Sequence, residues 1–188
     1  LMTTLPASAH TFTGMIGFYD GLSHPVLGID HFLAMVSVGI VSAQIGGRAI
    51  WTIPSTFVCM MIIGGVLGMV AEIFLYDISG LLIFLVEIGI IFSVILLGLA
   101  IAIEKKLSLM LTMFFVSIFG LCHGTAHGME MPWAANPILF ALGFASGTAV
   151  LHLFGVGIGS VLTKSKLTNL VLRLLGLSFA IYGASLLF

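Results

Sequence analysis

Two stretches of the chain carry residue types that bind metals. The first, HPVLGIDH, holds His24, Asp30 and His31, and the second, CHGTAHGME, holds His123, His127 and Glu130. His123 and His127 are spaced i and i+4, which on a helix sets both imidazoles on one face, one turn apart. His31 follows His24 by seven residues, which predicts about two turns, ~10 Å of helix and nearly the same face, with Asp30 beside it but pointing elsewhere. Neutral imidazoles and carboxylates at helical spacing are the ligands chosen by borderline divalent first-row ions. Unpaired in lipid these groups are costly. An ion held among them, reached by water through an outer funnel, offsets that cost. The chemistry expected is therefore binding of a divalent cation.

The elements that position these residues follow from composition. A chain of 188 residues with 60% hydrophobic and 7% charged residues has too little polar surface to coat a soluble globule. It reads as an all-α integral membrane protein, a compact bundle of about six spans in the lipid bilayer. Apolar runs and their Gly, Pro, Asn and charged breaks place the spans at Pro25 to Ile45, Trp51 to Leu75, Gly80 to Ile103, Leu107 to Gly128, Pro137 to Leu162 and Thr168 to Leu187. In the first, Pro25 suits an opening helical turn with Ser23 or His24 as its cap. Glycines such as Gly64, Gly65 and Gly68, or Gly143 and Gly147, suit close helix approach. The net charge of −1 and the absence of a basic face exclude nucleic acid as a partner. Cys59 and Cys122 lie in apolar runs and read as small buried hydrophobes, not as a disulfide.

Orientation follows from the cations. Arg48, Lys105, Lys106, Lys164, Lys166 and Arg173 all fall at one set of span ends, which predicts the cytoplasmic side. Asp20, Asp77, Glu130 and both chain ends then lie on the periplasmic side of a multi-pass protein of the bacterial inner membrane. Residues 1–9 read as the remnant of a signal peptide or a short N-terminal segment, with Ala7-Ser8-Ala9 fitting an A-x-A cleavage pattern and His10 as the new terminus. Residues 10–188 are then one transmembrane domain. With this topology both histidine motifs reach the same outer level from different helices.

Each further polar residue has a plainer reading beside the functional one. His10 alone reads as interfacial, and so does Glu72. Glu87 lies about two turns below the outer start of its span, where an ionisable group has a functional partner by default. His152 lies deep, in the cytoplasmic half of its span, and suits either an interhelical hydrogen bond or a lower ion station. Met129, Met131 and Cys122 keep copper(I) transport as an alternative. An intramembrane zinc-dependent hydrolase is the other, with His123, His127 and His24 or His31 on the zinc and Asp30 or Glu130 as base.

At HPVLGIDH with the following FLAM, and at HGTAHGME, the chain resembles the HupE/UreJ family of nickel/cobalt permeases, and the likeness runs from His10 to the end, HLFG in the fifth span included. The resemblance implies transport of Ni2+ or Co2+ rather than catalysis; the ligand types keep Zn2+ or Cu+ as lesser candidates. It makes His24, Asp30 and His31 the groups for ion selection, with His123, His127 and Glu130 as the second motif, and it gives the His10 amine and imidazole a capture role. No G-x-x-x-x-G-K-[ST] sequence is present, so uptake is expected without ATP hydrolysis. The expected path runs from the periplasmic cluster past Glu87 and His152. Protonation of imidazoles below about pH 6.5 should weaken uptake.

Overall fold

The structure, a computed structural model, describes residues 17–74, 79–104, 107–131 and 135–188. His10, residues 1–9, Asp77, Lys105 and Lys106 lie outside the described residues. Seven helices make up the described chain: α1 Phe18–Leu27, α2 Ile29–Ile45, α3 Ala49–Phe74, α4 Ser79–Ile103, α5 Leu109–Met129, α6 Pro137–Leu162 and α7 Lys166–Ser185. α3 to α7 are each long and apolar enough to cross a membrane, and α1 with α2 makes a sixth candidate span only as a pair bent by 86°.

The local causes of these elements are ordinary capping chemistry. Ser108 accepts from the Leu111 N–H at the start of α5, and Asn136 accepts from the N–H groups of Ile138 and Leu139 ahead of Pro137 in α6. Ser165 caps α7 through the Thr168 N–H. Each satisfies donors that a helix start leaves unpaired. Outward-facing Trp51, Phe74, Phe84, Phe114 and Phe154 are exposed, as suits side chains whose solvent is lipid.

The first span departs from the sequence expectation. Pro25 is not in an opening turn and neither Ser23 nor His24 is a cap. α1 begins at Phe18, with the Gly17 N–H donating to the Asp20 carboxylate at 3.1 Å, and Pro25 lies inside it. The chain then turns at Gly28, extended at φ −90° and ψ 118°, and restarts as α2. A ten-residue helix is only ~15 Å long and cannot cross the hydrocarbon. α1 lies instead against the start of α6, where Gly21 meets the Phe140 carbonyl and Gly143 meets the Phe18 carbonyl.

α3 and α5 form the tightest pair, with Gly124 closed against the backbone of Met61 so that any Cβ there would collide with its carbonyl. Such contact is the gain small residues give in lipid. It fixes the end of α5 that carries His123 and His127. α2 packs on α6, and α4 on α7. Cys59 and Cys122 are free, and Cys59 is exposed on the outside of α3 rather than buried, since its neighbours in the run alternate between core and lipid faces.

At the opposite ends of these helices the chain is tied by polar contacts. Arg173 Nε donates to the Ala102 carbonyl at 2.8 Å, Asn169 Nδ2 to Glu104 Oε1 at 2.6 Å, and Gln44 Nε2 to the Ile101 carbonyl at 3.3 Å. Beside these ties lies a cavity of about 220 Å3, lined among others by Gln44, Glu104 and Thr163.

Candidate metal centre

The histidines of both motifs converge where the bend of the first span meets the end of α5. Ring centroids of His24 and His127 are 4.5 Å apart, those of His31 and His127 4.5 Å, and those of His31 and His123 5.0 Å. His24 and His31 do not share one helix face, because the chain turns between them at Gly28. They reach His127 from two helices whose axes differ by 86°. Glu130, at the end of α5, closes the outer side, its Oε2 3.9 Å from His24 Nε2 and 3.8 Å from His127 Nδ1.

Hydrogen bonds set the tautomers. The Phe119 carbonyl can only accept, so the 2.8 Å contact from His123 Nδ1 puts the proton on Nδ1 and leaves Nε2 with its lone pair. Asp30 does not point away from His31: its Oδ1 accepts from His31 Nδ1 at 2.9 Å. That bond is possible because the break at Gly28 frees the first turn of α2. It leaves His31 Nε2 as the free lone pair, in the manner of carboxylates that orient metal-binding imidazoles.

Burial then makes the free nitrogens expensive. Side-chain exposure falls from 52% at Glu130 and 36% at His24 to 13% at His31, while His123 and His152 are at most 1% exposed. Among the described residues His31 Nε2, His123 Nε2 and both nitrogens of His127 and of His152 have no hydrogen-bond partner within the protein. Each such buried group costs about 1–3 kcal/mol. Six of them rival the whole net stability of a typical domain, about 5–15 kcal/mol. Among the described residues His152 forms no interhelical hydrogen bond.

The donor atoms of His24, His127 and Glu130 all lie within 4.8 Å of one another. Metal bonds of about 2.1 Å put ligand atoms roughly 3.0–3.4 Å apart, so movements of about 0.7 Å per side chain bring these three onto one ion. The site also lies at the C-terminal end of α5, where the helix dipole favours a cation. Burial, and after it the Glu87 carboxylate, hold the Glu130 carboxyl above its ordinary value, so a proton contends with a cation for it.

The family profile described as HupE / UreJ protein matches residues 1–186. The chain belongs to the HupE/UreJ family. It is 40% identical over 185 residues to Protein HupE of Rhizobium leguminosarum bv. viciae, covering 97% of this chain and 92% of that relative. No solved structure matches. As a member of the HupE/UreJ transporter family the protein is a transporter rather than an enzyme, and a multi-pass protein of the bacterial inner membrane.

Of the other residues singled out in the HupE/UreJ chain, Glu87 is half-buried on α4 and acts on the cluster through its charge at Glu130. His152 on α6 stands apart from the other imidazoles and packs its ring on Phe57, 5.2 Å away. Sequence reasoning missed the aromatic walls. Phe144 lies 4.4 Å from the His127 ring and Phe57 5.3 Å from that of His123. Nothing separates these phenylalanines from the others in apolar runs until the helices are packed. Gly28 was also passed over, although its place inside the first motif was a signal.

Proposed function

We propose that the protein is an ATP-independent permease for a divalent transition-metal ion, nickel or cobalt, captured on the periplasmic side and released to the cytoplasm. His24, His127 and Glu130 form the outer station. His31 and His123, with Asp30 orienting His31, form the next, and His127 touches both. Glu87 adds negative charge beside them, and His152 is a deeper station on the way to the cavity at Gln44, Glu104 and Thr163. The donor set suits either ion. A succession of stations with few ligands each lets the ion leave as readily as it arrives, as conduction requires.

One observation carries this reading: four imidazoles from α1, α2 and α5 meet ring to ring, and among the described residues no protein group hydrogen-bonds to His31 Nε2, His123 Nε2 or either nitrogen of His127. The family supports it. The test is uptake of nickel, cobalt and zinc into liposomes holding the purified protein or its His31→Ala variant. Loss of His31 is expected to cut nickel or cobalt uptake about tenfold or more, as befits removal of one ligand from a few-ligand site. A variant that transports at the parent rate removes the centre of the proposal.

A further inference from the structure

The outer imidazoles stop at His123, and the next free nitrogens are those of His152. One aromatic side chain contacts both rings. Phe57 of α3 is fully buried and is among the largest wholly enclosed side chains. Its ring meets the His123 ring at 5.3 Å and 62°, and the His152 ring at 5.2 Å and 89°. His123 thus packs against both His31 and Phe57.

We propose that Phe57 is the gate of the permeation path, an apolar plug that separates the outer histidine cluster from His152 and swings aside as an ion passes. This rests on the permease reading above. A hydrated or partly ligated dication cannot cross a close-packed aromatic ring without displacing it, and a hydrophobic constriction blocks conduction by excluding water. A carrier with imidazoles on both sides of the barrier has particular need of such a plug. Water bridging His123 to His152 would join the titratable nitrogens on the two sides of Phe57 into one proton wire.

The helix that carries Phe57 is not a fully bonded ladder. Pro54, three residues before it, lacks an N–H, so the Ile50 carbonyl loses its helical partner. Thr52 and Thr56 donate to the carbonyls of Arg48 and Thr52 at 3.1 and 2.7 Å, a pattern that bends helices. One turn beyond Phe57, the Met61 sulfur accepts from Thr148 Oγ1 at 3.6 Å. Thr148 lies one turn before His152 on α6, and Met61, an unbranched, adaptable side chain, lies one turn along α3 from Phe57.

The test uses the full chain in liposomes, with a trapped pH dye and a trapped nickel indicator read separately under an imposed potential. Nickel binding to the detergent-solubilised variants serves as the control for folding. Phe57→Leu should bind nickel as the parent does and pass it faster, and Phe57→Trp should bind it and pass it more slowly, by about threefold to tenfold in each direction. Phe57→Ala should admit protons without nickel, at about tenfold the parent leak. Phe57→Leu keeps an apolar core and is the variant expected to fold regardless. Equal or lower nickel flux in it overturns the gate, and so does a folded, nickel-binding Phe57→Ala that stays proton-tight. Failure of the permease reading itself would show differently, as parent vesicles that take up no nickel, while the proton leak still reports on the plug.

Discussion

Asp30 and His31 show how one hydrogen bond assigns roles within the cluster. A carboxylate 2.9 Å from Nδ1 fixes the proton there, raises the basicity of Nε2 and holds the ring in its orientation toward His123 and His127. Partners of this kind are typically worth about 10–100-fold in metal affinity. Asp30→Asn keeps an oxygen that accepts from Nδ1 but removes the charge, so nickel affinity by calorimetry should fall within that range. Nickel X-ray absorption should keep the same ligand count; loss of an oxygen ligand would make Asp30 a ligand in its own right. At this scale the sequence was legible where chemistry is rare. Six histidines in an apolar chain stand out, and the i, i+4 spacing of His123 and His127 survives intact on α5. Phe57 and Phe144 did not stand out, because an aromatic ring among fifteen phenylalanines has no distinguishing mark until its neighbours are imidazoles.

The helices that carry these residues were legible in proportion to their monotony. α3 to α7 follow the apolar runs to within a few residues, since a continuous run long enough for the bilayer has few other ways to satisfy its backbone. The first span failed because Pro25 and Gly28 are both compatible with one straight helix by composition, and the packing of Gly21 and Gly143 against α6 and α1 backbones decides otherwise. The break has a chemical purpose, and Gly28 is its pivot. Its φ and ψ are open to any residue, so alanine there brings no backbone strain. A Cβ, however, would lie 3.0 Å from both Asp30 Oδ1 and His31 Nδ1, tight enough to push the pair. Gly28→Ala is therefore expected to weaken nickel binding about tenfold, or about 1.4 kcal/mol, while the melting temperature shifts by only a few degrees. Affinity equal to the parent would show that the pair tolerates the displacement and that the glycine serves only the bend.

Among the described residues, polar groups gather toward opposite ends of the helices, with His152 between them. Both histidine motifs and Glu130 sit at one set of helix ends, while Arg48, Lys164, Lys166 and Arg173 sit at the other, beside the cavity lined by Gln44 and Glu104. The separation of the described histidines and cations to opposite helix ends was readable from alternating helix directions and cation positions alone, and on the rule that cations stay inside we propose that the histidine end is periplasmic. On the permease reading proposed above, the membrane potential is the expected driving force. A dication moving toward the cationic end gains about 2.3 kcal/mol per charge per 100 mV, ~4.6 for two charges. That energy corresponds to ~2000-fold accumulation at equilibrium. Liposomes given an inside-negative diffusion potential of about 100 mV should therefore concentrate nickel far above the outside level with no nucleotide present. Collapsing the potential should let the gradient run down toward equality, and reversing it should prevent accumulation in protein of the same orientation. Accumulation that ignores the sign of the potential would mean that the dication crosses with compensating charge, by exchange for protons or together with an anion. The barrier to be explained would then be the counter-ion's path rather than the line from His24 to His152.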